Sequence, residues 1–263
     1  MNQNQAKIIS IIGAKGGVGQ TTVAINLAYK LAKAYLKNVS LGLIDLNFTQ
    51  PDCSIMLNLK PKNSLIDLIN NVDNLDKDLV NSCASVIAEN LKALVPPTDL
   101  LVPNKLNSQV LINILNKVQE NYPLLIIDLP KHIDESLINV LDMSYLIILV
   151  TDSSIESIIS SNRWQARFND LGYNANKIIY IFNKTSKFSE TNLKAIDNTN
   201  IYKINHCNLN SIATNANLLN GQANRDIALI VKDIAQFLNF PAESTPNSSF
   251  KFLPNLFKLL NQF

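Results

Sequence analysis

Ile8-Ile-Ser-Ile-Ile-Gly-Ala-Lys-Gly-Gly-Val-Gly-Gln-Thr-Thr-Val-Ala-Ile-Asn-Leu-Ala28 decides how the rest of the chain is read. A β-branched apolar run enters a glycine-rich turn, and the turn opens onto a helical pattern. That is the context a phosphate-binding loop requires. Gly16, Gly17 and Gly19 allow tight backbone conformations that side chains forbid. Amides there can converge on phosphate oxygens, helped by the helix N-terminus. Thr21 sits where a hydroxyl ligates Mg²⁺. The strict pattern G-x-x-x-x-G-K-[ST] is not met. Ala14 replaces the first glycine, and Gln20 replaces the lysine that brings a cation to the β- and γ-phosphates. Gln offers only dipolar hydrogen bonds, roughly half as strong as charge-assisted ones. Lys15 brings a cation to an earlier place in the loop.

Outward from this loop, short apolar runs alternate with helical patterns. Strands are expected at Lys7–Ile12, Val39–Asp45, Leu91–Val95, Leu124–Asp128, Tyr145–Val150, Lys177–Phe182 and Ile201–Ile204. Helices are expected at Thr21–Leu36, Ser64–Ile69, Ser108–Glu120, Glu135–Leu141, Ile155–Leu171, Glu190–Ile196 and Arg225–Phe240. Most strand candidates are apolar on both faces, as in a buried parallel sheet. The alternation implies a doubly wound, mostly parallel α/β sheet flanked by helices.

Composition narrows the class. The 263 residues allow one large domain or two small ones. A hydrophobic fraction of 47% with 17% charged residues excludes wholesale disorder. A net charge of +2 does not steer the whole molecule to nucleic acid or an anionic membrane. No apolar run is long enough to span a bilayer. Cys53, Cys83 and Cys207 are odd in number and without C-x-x-C spacing, which speaks against disulfides or a zinc site and for a reducing cytosol. His132 and His206 are too isolated to suggest a metal cluster. The stretch 241–249, rich in Pro, Ser and Thr, reads as a linker. The expected organisation is therefore a domain over 1–240, a linker over 241–249 and a segment over 250–263.

Lys15-Gly-Gly-Val-Gly-x-Thr-Thr22 followed by Val-Ala-Ile-Asn-Leu-Ala resembles the deviant Walker A loop of ParA/MinD ATPases. Leu43-Ile-Asp-Leu-Asn-Phe-Thr-Gln-Pro-Asp52 resembles that family's second carboxylate strand and switch. Leu124-Leu-Ile-Ile-Asp128-Leu-Pro resembles a Walker B strand, and Phe182-Asn183-Lys184 resembles the strand end bearing an adenine-contacting Asn. The non-lysine at position 20, Asn58-Leu-Lys-Pro-Lys-Asn-Ser-Leu-Ile-Asp-Leu68 and Asp128-Leu-Pro-Lys-His-Ile-Asp134 are most similar to the CpaE/TadZ branch. Proteins of that branch are linked to assembling and positioning Flp-type pili. They usually carry a receiver-like domain ahead of the ATPase domain, whereas the first strand here begins near Lys7.

The resemblance implies an ATP-binding, homodimerising switch. Gly16, Gly17, Val18, Gly19, Gln20, Thr21, Thr22 and Asn183 would hold the nucleotide. Thr21, Asp45 and Asp128 would hold Mg²⁺. Lys15, Asp45 and Asn47 would carry the catalytic roles, with Lys15 reaching the partner's nucleotide. Asn47 stands where the family has a second Asp, so Gln20 and Asn47 together imply weak or absent hydrolysis. Pilus or secretion-system proteins are the implied partners, and the cytoplasm, the inner membrane or the cell pole the implied location. A scaffold without productive turnover is the alternative. A DNA-binding partition ATPase fits less well, since residues 197–240 supply only Lys203, Arg225 and Lys232 as basic residues.

Some residues have two readings. Asp134 is either a helix cap or part of a switch loop. Trp164 is either core or a partner face. In 250–263, Leu253, Leu256, Phe257, Leu260 and Phe263 share one helical face, widened by Leu259, opposite Asn255, Lys258, Asn261 and Gln262. A membrane surface, a partner protein or the chain's own domain would each suit it.

Overall fold

The computed structural model describes residues 6–36, 39–99, 103, 106–130, 134–185, 200–207 and 219–240. Among these, an eight-stranded sheet has the order β3-β4-β2-β5-β1-β6-β7-β8. The strands are β1 Lys7–Gly13, β2 Leu41–Asp45, β3 Ser85–Ala88, β4 Leu91–Leu94, β5 Leu124–Asp128, β6 Leu146–Thr151, β7 Ile178–Thr185 and β8 Ile201–Asn205. All pairings are parallel except the β3–β4 hairpin.

The period of two along the strands builds two cores. Ile9, Ile11, Leu43, Ile126 and Ile148 face one side, covered by α1 (Gln20–Tyr35) and α8 (Gly221–Phe237). Ile8, Ile12, Ile44, Ile127, Leu149 and Phe182 face the other side. There they meet α3 (Leu65–Asn70), α4 (Lys77–Cys83), α5 (Ser108–Asn121), α6 (Glu135–Met143) and α7 (Ile155–Asp170). A short α2 (Asp52–Met56) follows β2 at the carboxyl edge. Trp164 is buried and stacks near Phe168 with ring centroids 5.4 Å apart, which is the core reading. Asp134 caps α6 by accepting from the Leu137 amide at 2.8 Å, which is the cap reading.

Three expectations need correction. The hairpin strand β3 and the helices α2 and α4 were not foreseen, because each is short and β3 is a partly exposed edge. Helix α8 begins at Gly221, ahead of the expected Arg225, and stops at Phe237, where Asn239 turns left-handed at φ 58°. Strand β7 runs on to Thr185. The expected helix Glu190–Ile196, the linker 241–249 and the segment 250–263 lie outside the described residues.

The end of α8 is tied to the foot of β1. The Lys7 ammonium donates to the Leu238 carbonyl at 2.6 Å and lies over the rings of Tyr145 and Phe240 at 5.0 and 5.9 Å. At the opposite end of β1, the phosphate-loop candidate emerges between the carboxyl ends of β5 and β6. In open α/β sheets that edge is where ligands bind.

Candidate functional site

The loop leaves β1 at Gly13 and enters α1 at Gln20. Gly17 and Gly19 adopt φ 77° and 86°, a left-handed backbone that favours glycine. A Cβ on Gly19 would also collide with the Asn183 amide. The amides of Gly16, Gly17 and Gly19, and those of the first helical turn over Gln20, Thr21 and Thr22, have no acceptor among the described residues. Loop amides with no partner among the described residues, placed at a helix N-terminus, fit a phosphate group.

Beneath the loop lie the two strand-end carboxylates. Asp45 and Asp128 are register partners on adjacent strands, and both are buried. Thr21 donates its hydroxyl to Asp128 Oδ2 at 2.6 Å. Gln20 is buried, and its amide nitrogen lies 2.6 Å from Asp128 Oδ1, 2.6 Å from the Leu129 carbonyl and 3.1 Å from the Ile11 carbonyl. Asp45 accepts from the amides of Asn47 at 2.8 Å and Cys53 at 3.2 Å. The Cys53 thiol points at Asp128 Oδ2 from 3.8 Å. Burial raises the pKa of Asp128 to about 6, against the pull of its Thr21 and Gln20 hydrogen bonds. Burial, then repulsion from Asp128, holds Asp45 well above the usual carboxylate range. Burial and both carboxylates push the Cys53 thiol up as well.

Among the described residues, no cation side chain is paired with either carboxylate. The hydroxyl of Thr21, Asp128 and the nearby Asp45 are hard oxygen donors of the kind Mg²⁺ takes.

Lys15 has a partner that the sequence did not suggest. Its ammonium donates to the Ser154 hydroxyl at 2.7 Å and lies 3.7 Å from Asp152 and 3.9 Å from Glu156, at the start of α7. Burial opposes ionisation of Asp152, but the Ser154 bonds and Lys15 outweigh it and hold the carboxyl below its ordinary value. Asn183 donates to the Val18 carbonyl at 2.8 Å and so braces the loop. Asn47 turns to its own loop, its side-chain oxygen accepting from Thr49 and the Gln50 amide at 3.1 and 3.2 Å. Thr22 opens α1 and lends its carbonyl to Asn26. Lys184 was missed as a site residue. It has φ 58° at the end of β7, and its ammonium caps the Gly17 carbonyl at 2.6 Å. Its position directly after Asn183 was the available signal.

Comparison with known proteins agrees with this geometry. A family model described as an AAA domain matches residues 6–181. An uncharacterized protein of Methanocaldococcus jannaschii is 30% identical over 211 residues, covering 72% of this chain and 78% of the relative. The septum site-determining protein MinD of Thermotoga maritima is 25% identical over 179 residues, covering 67% of this chain but only 64% of its own length. Among solved structures, a ParA family ATPase from Chlorobium tepidum superposes with a TM-score of 0.77 at 20% identity, covering 87% of this chain and 98% of that one. MinD of Pyrococcus horikoshii, solved with Mg-ADP, gives 0.71 at 18% identity, covering 88% and 96%. The chain belongs to the ParA/MinD superfamily of P-loop ATPases. Among the described residues, no helix is long and apolar enough to cross a membrane.

Proposed function

We propose that this chain is an ATP–Mg²⁺-dependent dimerising switch of the CpaE/TadZ kind, with slow or absent hydrolysis. The observation that carries the reading is the set of loop amides without a partner among the described residues, beside the Thr21–Asp128 pair. In this reading Gly16, Gly17, Val18, Gly19, Gln20, Thr21 and Thr22 wrap the phosphates, and Asn183 lies toward the base. Mg²⁺ would be held by Thr21 and Asp128 with Asp45 behind, and it would supply charge neutralisation at the phosphates. The same ion would neutralise Asp45 and Asp128, which have no cation partner among the described residues.

Lys15 is the group that senses a second copy. Its contacts with Asp152, Ser154 and Glu156 are one-third solvent-exposed on the lysine side. Such pairs contribute only about 0–1 kcal/mol, so an ATP triphosphate from a facing protomer outcompetes them. The expected result is a dimer by light scattering with ATP–Mg²⁺ and a monomer for Lys15→Ala, with affinity for a fluorescent ATP analogue nearly unchanged. A wild-type chain that stays monomeric with ATP bound overturns the dimer. No measurable ATP affinity favours the scaffold instead, a reading supported by the way Gln20 already fills Asp128.

The segment 250–263 is assigned to a membrane surface, through the apolar face that starts at Leu253. With only two lysines it binds weakly as a single copy, and a dimer doubles the anchors. Liposome co-sedimentation is expected to fall when 250–263 is removed; equal pelleting of both forms rejects the membrane assignment. The pilus or secretion-system role rests on the branch resemblance alone.

A further inference from the structure

The thiol beside the two carboxylates has no part in the ATPase reading. Asp45, Cys53 and Asp128 come from three separate elements, β2, α2 and β5, and all three are buried. One ligand atom from each lies within 4.8 Å of the others. The Cys53 sulfur stands 3.8 Å from Asp128 Oδ2. A tetrahedral zinc with bonds of about 2.3 Å to sulfur and about 2.1 Å to oxygen separates those two donors by about 3.6 Å. The pocket is thus already close to ligating spacing.

The electrostatics ask for a cation. Among the described residues, two buried carboxylates face each other with no cation side chain paired to them, and the exposed Asp52 adds further negative charge near Asp128. A buried charge without a partner is costly. The donor set then selects which cation. Mg²⁺ takes oxygen ligands, whereas thiolate selects softer ions such as zinc and cadmium. The outer contacts suit a metal site as well. Gln20 holds Asp128 Oδ1, and the amides of Asn47 and Cys53 hold the two oxygens of Asp45, which fixes the carboxylates' orientation.

We propose that Asp45, Cys53 and Asp128 form a nucleotide-independent site for one thiophilic divalent cation of the zinc class. Binding replaces the thiol proton, which passes to solvent, and leaves a fourth position beside Thr21 for water. Because Asp128 also serves the proposed Mg²⁺ site, a bound soft ion occupies ground that the nucleotide's metal needs. The site itself stands whether or not the loop holds ATP.

The test uses the full nucleotide-free chain with Cys83→Ser and Cys207→Ser, titrated with Cd²⁺. The expected result is a sulfur-to-cadmium charge-transfer band that saturates at one ion per chain. Adding Cys53→Ser is expected to abolish the band while circular dichroism stays native. Absence of the band before that change, or its survival after it, overturns the proposal. Should the Cys53 variant fail to fold, Asp45→Asn carries the test. A loss of Cd²⁺ affinity of about tenfold or more supports the site, and unchanged affinity overturns it.

Discussion

ATP turnover by the wild-type chain is expected to stay well below about one per second, the lower end of ordinary enzymes. Gln20→Lys with Asn47→Asp is expected to raise it by about 10²–10³. Two positions set this. Gln20 is neutral, so no cation from α1 meets the charge that develops on the transferred phosphoryl group, a term of about 3–4 kcal/mol. Asn47 can hydrogen-bond an attacking water but cannot accept its proton as a carboxylate could. In the structure its side-chain oxygen is also spent on Thr49 and Gln50. The site accommodates the lysine well, because the Gln20 nitrogen already meets three acceptors, matching the three protons of an ammonium. Phosphate release, measured beside a titration with fluorescent ATP analogue, checks both numbers. Wild-type turnover near one per second contradicts the reading.

Asp128→Asn is expected to make the chain more stable at pH 7 in the absence of divalent cations, while abolishing Mg²⁺-dependent nucleotide binding. Folding raises the pKa of Asp128 from 3.8 to about 6. A raised carboxylate binds more protons folded than unfolded. Its contribution is therefore fully present below about pH 4 and is lost as pH rises through about 6. At neutral pH the ionised group costs on the order of 3 kcal/mol. Part of the relief is offset by weaker bonds to Thr21 and Gln20. A net gain of about 2 kcal/mol then raises Tm by roughly 4–8 °C for a domain of this size. Thermal melts at pH 7 and pH 4 check it: the gain belongs to the first and vanishes in the second. A variant no more stable than wild type at pH 7 contradicts the electrostatic account.

Much of this arrangement was legible in the sequence, and the reason is physical. The strands β1, β2, β5 and β6 are buried on both faces, so each is a continuous apolar run that stands out from its surroundings. The loop between β1 and α1 is legible because its glycines are dictated by backbone geometry. The β3 strand was not, since an edge hairpin needs no apolar run. Pairing of Asp45 with Asp128 depends on strand register, which residue patterns do not display. The metal-ligand spacing of cysteines also says nothing about Cys53, because its neighbours are carboxylates at the ends of two strands that are adjacent in the sheet but far apart in sequence. The acids beside Lys15 were not legible either, because Asp152 and Glu156 lie far along the chain and reach it only through the start of α7.

The tie between Lys7 and the end of α8 has a geometric consequence. Strand β1, 7 residues long, has its foot at that tie and the phosphate loop at its head. At about 3.3 Å per residue, the two ends are roughly 20 Å apart. Phe240, the last described residue, lies beside Lys7 and so at the end of β1 opposite the loop. The described domain therefore presents its phosphate-loop edge and Phe240 at opposite ends of one strand.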